Sequence, residues 1–144
     1  MKKITKEDIK ALFKEYNKLY FDGVLPPCKC HVFKGKGDFG RYRYFRRRNG
    51  KYEANIWIAY NVDWTEETLR EIVVHEMIHH YVRTIEGRRG GLFGHNWRFH
   101  RQMRRFKKQF GIKIHVHFYH IYTINEKIPT NLYQRIRRFL GMKY

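Results

Sequence analysis

A segment at residues 72–85 constrains the fold more than any other part of the chain. It carries His75 and His79 four residues apart, with Glu76 beside the first histidine. On a helix, side chains at this spacing lie about 40° apart around the axis, one turn above the other, which is the geometry that lets two imidazoles bind one zinc ion. Apolar residues surround this pair, at Val73, Val74, Met77, Ile78, Tyr81, Val82 and Ile85. The pattern therefore predicts a helix that is buried on nearly every side and has a metal site on the remaining arc.

Glu76 has a different predicted role from the two histidines. It lies about 100° from His75 around the helix axis, so we expect it to act as the general base that takes a proton from the attacking water, and not as a ligand. A catalytic zinc ion also needs a third protein ligand and one open position. The only acidic residues after His79 are Glu86, which is on the same predicted helix, and Glu126, so a later histidine is favoured. The candidates are His95, His100, His115, His117 and His120.

The amphipathic segment at residues 95–110 selects among these candidates. Its apolar residues recur at helical steps, at Phe99, Met103, Phe106 and Phe110, and define one face of a predicted helix. His95 lies within about 50° of the centre of this face, whereas His100 lies about 90° from it. His95 also follows Gly94, where the chain can approach a metal closely. We therefore predict His95 as the third ligand of one catalytic Zn²⁺.

The remaining patterns predict one α+β domain spanning residues 1–144. Helical spacing of apolar residues predicts helices, alternation predicts strands, and Asn49-Gly50 predicts a hairpin turn. The predicted helices cover residues 5–21, 66–86, 95–110 and 129–140, and the predicted strands cover 28–33, 39–46, 52–60 and 112–118. We expect a small mixed or antiparallel sheet, packed on the N-terminal helix, on the helix with the histidine pair and on the helix that follows it.

The charge distribution predicts a polyanionic partner. The formal net charge is +18, yet residues 51–86 contain seven acidic and three basic residues, so the histidine pair lies in the one acidic region. A chain this basic attracts polyanions, of which nucleic acid is the commonest in the cytoplasm. The candidate phosphate contacts lie on the second predicted strand and on the outer face of the third predicted helix, namely Arg41, Arg43, Arg46, Arg98, Arg101, Arg105 and Lys108. Tyr42, Tyr44 and Phe45 interleave with the arginines of the second predicted strand, which suits stacking on unpaired bases. The alternative is that these basic side chains are solvated surface charges and the aromatic residues between them belong to the core.

Other features of the composition favour a cytoplasmic protein, which we expect to be a monomer. The start of the chain is charged and lacks the apolar region of a secretory signal, and no apolar run is long enough to span a membrane. Cys28 and Cys30 are too close together for a comfortable disulfide and too few for a four-thiolate metal site. We interpret them as thiols in or beside a strand.

Several motifs, taken in order, resemble the SprT-like zinc metallopeptidase family, which includes Spartan-like protease domains. The resemblance covers most of residues 9–103 and rests on Tyr16-Asn17-x-x-Tyr20-Phe21-Asp22-Gly23-x-Leu25-Pro26, Gly40-Arg41-Tyr42, Ile56-x-Ile58, His75-Glu76-Met77-Ile78-His79 and Gly94-His95-x-x-x-Phe99-x-x-x-Met103. It implies a zincin-type α+β fold, zinc-dependent proteolysis and, as in Spartan-like members, DNA-stimulated cleavage of proteins bound or crosslinked to DNA. Two departures are that no cysteine follows Cys30, where many bacterial relatives have a zinc ribbon, and that Trp97 stands where the family often has Pro. Without the ribbon, the basic helix is the predicted substitute for DNA contact.

The sequence thus leads to the hypothesis of a zinc metalloendopeptidase that acts on proteins associated with nucleic acid, with single- or double-stranded DNA as the partner. We expect residues 54–58 to form the rim along which a peptide substrate lies as an added strand. One alternative is a basic nucleic-acid-binding module whose zinc ion is structural and closed by a fourth ligand. Another is hydrolysis of a non-peptide bond by the same zinc-activated water. One of the remaining histidines, or Tyr119, is a candidate for stabilising an oxyanion.

Overall fold

The computed structural model describes residues 3–88 and 94–117. Within them the chain forms α1 (Lys6–Tyr20), β1 (Lys29–Phe33), β2 (Gly40–Arg46), β3 (Tyr52–Ala59), α2 (Glu66–Thr84) and α3 (Trp97–Phe110). Three helices and a small three-stranded sheet confirm the predicted α+β class. None of the helices in this part of the chain is long and apolar enough to cross a membrane. The predicted helix at 129–140 lies outside the described residues, and the assignment of the whole chain to one domain stays a prediction.

The sheet is mixed, with strand order β1-β3-β2. β1 runs parallel to β3 and β2 runs antiparallel to it, so that Cys30 and Tyr42 both pair with Ile56 from opposite sides. β3 is therefore the central strand and is largely buried. The expectation that residues 54–58 form an open rim for an added peptide strand is wrong, because a strand paired on both sides has no backbone groups left for a third partner. Among the described strands, β1 and β2 are the ones with an unpaired edge.

The central helix of the fold is α2, which carries the histidine pair. It begins with Thr65 as its N-cap in a capping box, and Glu66 and Glu67 in the first turn complement the helix dipole. It packs against α1, α3, β2 and β3. Residues 71–78 are buried without interruption, as the apolar surroundings of the histidine pair predicted. The polar side chains of this stretch, Glu71, His75 and Glu76, therefore lie inside the protein.

The predicted late strand at 112–118 is wrong over the residues that the structure describes. Residues 111–117 form no strand, although Ile112 and Ile114 are only 7% and 3% exposed. Alternation of apolar and polar residues indicates that one side of the segment is buried. It does not indicate whether the backbone pairs with a neighbouring strand. The start of the third helix also differs from its prediction, because Asn96 is the N-cap of α3 and His95 therefore precedes the helix.

Candidate metal centre

The structure brings the side chains of His75, His79 and His95 together. Their ring nitrogens lie within 4.8 Å of one another, and they form the one group of potential metal ligands found among residues 3–88 and 94–117. The Nε2 atoms of His75 and His95 are 3.1 Å apart, close to the separation of about 3.3 Å between two nitrogen ligands of a tetrahedral zinc ion. The ring of Phe99 contacts all three imidazoles, with centroid distances of 4.6 to 4.8 Å. The three nitrogens therefore fit a single metal ion.

A turn and a helix start fix His95 beside α2. Gly94 has a φ of +73°, which L side chains rarely adopt, and a Cβ atom there would lie 3.1 Å from Cε1 of His79. The side chain of Asn96 accepts hydrogen bonds from the first backbone N–H groups of α3. Phe99 then enters the core with no exposed surface. A glycine at residue 94 therefore suits both the positive φ and the close approach of this segment to His79.

Burial keeps all three histidines neutral, which is the form in which an imidazole binds a metal. Burial is the largest cause that lowers the pKa of His75 well below 6.5, and electrostatic repulsion from His79 and His95 lowers it further. Burial likewise lowers the pKa of His79 to about 3 and that of His95 to about 4. In the metal-free protein at neutral pH, these rings are therefore uncharged.

Glu76 is almost completely buried beside the three histidines, with 4% of its surface exposed. A Cβ atom at Gly40 would lie 2.5 Å from its Oε1 atom, so the carboxylate lies directly against the start of β2. Burial, and then the charge of Asp38, raise the pKa of Glu76 to about 8. A bound divalent cation opposes this shift, because positive charge favours the carboxylate form. Such a group is suited to accepting and releasing a proton.

Tyr42 and His80 support the centre from the side of β2. The carbonyl of Pro26 accepts a hydrogen bond of 2.8 Å from Nε2 of His80, so Nδ1 must be an acceptor, and the Tyr42 hydroxyl donates to it at 2.8 Å. The Tyr42 ring lies parallel to that of His79, with centroids 6.3 Å apart. Sequence patterns placed Tyr42 among candidate base-stacking residues and did not connect it with His80, because this contact joins a strand to a helix far along the chain.

The other candidate histidines occupy different positions. His100 and His117 are exposed, and His115 reaches the centre through its backbone carbonyl. After burial, His117 is the next cause of the lowered pKa of His95, so it lies close enough to act on the centre electrostatically. The candidates Tyr119 and His120 lie outside the described residues.

The predicted phosphate contacts on β2 are Arg41, Arg43 and Arg46, and all three are exposed. Arg41 forms an ion pair with Asp38. Alternation along the strand places Tyr42 on the face opposite Arg41 and Arg43, where its ring faces His79. The arginines and Tyr42 therefore do not form one continuous stacking surface, and the phosphate contacts of these arginines stay a prediction.

The predicted phosphate contacts on α3 are Arg98, Arg101, Arg105 and Lys108. Arg98 and Arg101 both form ion pairs with Glu86, and their guanidinium groups lie 4.4 and 5.0 Å from the centre of the exposed Trp97 ring. Arg105 is half-buried and donates a hydrogen bond of 2.9 Å to the backbone carbonyl of Tyr20, which ties α3 to α1. Lys108 is exposed. Nucleic-acid contact through these residues also stays a prediction.

An α+β domain whose central helix carries H-E-x-x-H, with a third histidine supplied by a following segment, is a zincin-like domain, and its three histidines could hold a metal ion. The model of the SprT-like family matches residues 9–122, which is most of the chain. The protein belongs to the SprT-like family, a family of metallopeptidase type. A comparison with curated proteins finds no match.

Proposed function

We propose that the protein is a zinc-dependent endopeptidase. The observation that carries the proposal is the convergence of three histidines beside a buried glutamate, in a member of the SprT-like family. A zinc ion held by the three histidines would keep a fourth position for water, would lower the pKa of that water and would polarise a carbonyl group. The group contains three potential ligands among the described residues, which favours such an open site over a closed structural one.

Glu76 is the proposed general base. Its carboxylate takes the proton of the attacking water, and the protonated group then donates that proton to the nitrogen of the leaving amine. Its raised pKa in the metal-free protein and its contact with the start of β2 support this role. The same side chain is poorly placed to be a fourth ligand, because on the helix it lies about 100° from His75.

The proposed binding surface for the peptide is the unpaired edge of β2. The carbonyl of Phe39 accepts a hydrogen bond from the N–H of Ala59 at 2.8 Å, so the odd-numbered residues of β2 bond to β3. The backbone groups of Gly40, Tyr42 and Tyr44 then point away from β3. An extended peptide that pairs with them would pass beside Glu76, which contacts Gly40. Methylation of single backbone nitrogens along a substrate peptide should raise KM at alternate positions.

We further propose that the substrates are proteins associated with DNA. The net charge of +18 and the exposed basic side chains of β2 and α3 support binding to a polyanion. Binding to the same DNA molecule would raise the local concentration of a DNA-bound protein near the histidine centre.

Zinc content and cleavage together test this function. The assay measures zinc per chain and the cleavage of a DNA-binding protein, with and without DNA, for the parent, Glu76→Gln and Glu67→Gln. Glu67 is an exposed glutamate on the same helix and serves as the control. We expect Glu76→Gln to keep its zinc and to lose at least about 100-fold in cleavage rate, and the control to match the parent.

Two outcomes would contradict the proposal in different ways. A Glu76→Gln variant that cleaves as fast as the parent would remove Glu76 from the mechanism. A parent protein that binds zinc and DNA but cleaves no protein would support the nucleic-acid-binding module with a structural metal ion.

A further inference from the structure

A backbone carbonyl forms a hydrogen bond with the imidazole of His75, on the ring nitrogen that faces away from His95. The Nδ1 atom of His75 lies 2.8 Å from the carbonyl oxygen of His115. Because a carbonyl oxygen only accepts hydrogen bonds, Nδ1 must carry the proton and donate it. Nε2 then carries a lone pair, and it lies 3.1 Å from Nε2 of His95, where the nitrogens of the three histidines meet. The His115 carbonyl therefore selects the tautomer and the ring orientation of His75 that a metal ion requires.

Glu71 holds the residue that supplies this carbonyl. Its Oε1 atom accepts a hydrogen bond of 3.0 Å from the backbone N–H of His115 and also bonds to Nδ1 of the His115 ring. Glu71 lies one turn before His75 on the same side of α2, and only 8% of its surface is exposed. One buried carboxylate thus holds His115 by its backbone and by its side chain, one helical turn from the ligand that His115 orients.

The segment around His115 depends on such an anchor. Residues 111–117 form neither helix nor strand, so no regular backbone hydrogen bonding sets the direction of the His115 carbonyl. The buried side chains of Ile112 and Ile114 hold the segment against the core, but apolar burial is not directional. The two bonds to Glu71 are directional, and they act on the residue whose carbonyl has to point at His75.

We propose that Glu71 is a positioning residue of the metal centre. It fixes the His115 backbone so that the carbonyl holds the His75 imidazole with Nε2 facing the position that a divalent cation such as zinc would occupy. The inference rests on the metal site of the proposed function and extends it to a residue that touches neither metal nor substrate. A buried carboxylate with no such task would be costly to keep in the interior.

Two substitutions and a matched control test the role of Glu71. Glu71→Ala removes the acceptor, Glu71→Gln keeps the shape and one acceptor oxygen, and Glu67→Gln removes the same charge from an exposed position of α2. The affinities for Zn²⁺ and Co²⁺ are measured by competition with a chromophoric chelator. We expect Glu71→Ala to bind both ions about 10- to 100-fold more weakly, as is usual when the partner behind a metal-binding histidine is lost. Glu71→Gln should lose less, and Glu67→Gln should match the parent.

A second readout needs no metal and separates this inference from the proposed function. NMR of the imidazole nitrogens shows which nitrogen of His75 carries the proton. In the metal-free parent and in Glu67→Gln we expect the Nδ1–H tautomer alone, and in both Glu71 variants a mixture with the Nε2–H tautomer. If the parent shows the single tautomer but binds no zinc, the proposed function fails while the orienting role of Glu71 stands.

Folded Glu71 variants with the metal affinity and the tautomer of the parent would overturn the proposal. A purely structural role of Glu71 predicts that pattern together with a lower free energy of unfolding. If Glu71→Ala does not fold, Glu71→Gln still decides the matter, because its side chain has almost the same volume as that of glutamate.

Discussion

Gly40 limits where the carboxylate of Glu76 can lie. A Cβ atom at residue 40 would be 2.5 Å from Oε1 of Glu76 and 2.9 Å from Cδ1 of Ile72. Both neighbours are ends of flexible side chains, so they can move, and Gly40→Ala should displace the general base while the protein still folds. We expect kcat to fall about 100-fold, the effect of misplacing a catalytic group by about 1 Å, with zinc affinity unchanged. Steady-state kinetics and a zinc titration measure the two effects.

A double mutant provides the control for this prediction. If Gly40 acts through Glu76, Gly40→Ala should have little further effect on kcat in a protein that already carries Glu76→Gln. A Gly40→Ala enzyme with the kcat of the parent would show that the carboxylate has another position from which it works equally well.

At the residue scale, the grouping of the three histidines could be predicted from the sequence, whereas the residues that hold them in place could not. His75 and His79 follow from a spacing of four on a helix, and His95 from its position relative to an apolar face. Glu71 bonds to His115 across 44 positions of the chain, so no local pattern connects them. Such contacts depend on how α2 and the segment after α3 pack, which is known only once the fold is known.

At the scale of the elements, a chain of hydrogen bonds connects β2 to α2 and to the loop at Pro26. The hydroxyl of Tyr42 is the donor to Nδ1 of the fully buried His80. Tyr42→Phe keeps the ring beside His79 and leaves that nitrogen without its partner. We expect the free energy of unfolding to fall by about 1 to 3 kcal/mol, the cost of an unsatisfied buried polar group. Urea denaturation of the metal-free protein measures it.

Tyr44 offers a matched substitution on the same strand. Its ring stacks on that of the exposed Tyr52, so Tyr44→Phe should change the free energy of unfolding by less than about 0.5 kcal/mol. Equal losses for Tyr42→Phe and Tyr44→Phe would mean that the bond to His80 contributes nothing specific.

Most elements of the fold could be predicted from periodicity, and the exception has a physical reason. The boundaries of β2 and β3 differ from their predictions by one residue at one end, and those of α1 by one residue at each end. At residues 111–117 the alternation of Ile112 and Ile114 with polar residues predicted a strand, yet the backbone N–H of His115 bonds to a side chain, that of Glu71. Alternation reports burial alone, and strand pairing requires a neighbouring strand that the local sequence does not reveal.

At the scale of the whole molecule, the histidine centre makes the metal-free protein sensitive to acid. Burial lowers the pKa of His79 to about 3 and that of His95 to about 4, from 6.5. As the pH falls below 6.5 the unfolded chain binds protons at these positions and the folded chain does not, so stability is lost towards about pH 3. Each group contributes up to about 1.4 kcal/mol per pH unit. Urea denaturation in the presence of a chelator, between about pH 7 and about pH 5, should show this decline.

Two histidine variants check the origin of this pH dependence. His79→Gln should make the free energy of unfolding less dependent on pH. His31 lies on β1 and is not among the groups that shift the pKa values of the three histidines, so His31→Gln should leave the slope as in the parent. A metal-free parent whose stability is constant over this range would contradict the assignment of buried neutral histidines.

The charge of the whole molecule leads to a prediction about DNA. The net charge of +18 attracts DNA to the whole surface of the protein. Phosphate contacts made by particular residues are a separate property, and substitutions can test for them. Two triple variants to Gln remove three charges each, one at Arg41, Arg43 and Arg46 on β2 and one at Arg98, Arg101 and Lys108 on α3. The control removes three charges from exposed positions on α1, at Lys10, Lys14 and Lys18. Arg105 is left in place because it ties α3 to α1.

The dependence of DNA affinity on salt separates contact from general attraction. For double-stranded DNA, each lost phosphate contact should reduce the slope of log K against log salt by about 0.9, and for single strands by about 0.7. We expect both the β2 and the α3 variants to show a reduced slope and weaker binding, with the α1 variant close to the parent. The α3 effect should be the smaller one per residue, since Arg98 and Arg101 have to leave Glu86 before they can bind a phosphate. If all three variants lose the same DNA affinity, then DNA binding depends only on the net charge, and neither β2 nor α3 forms a defined contact surface.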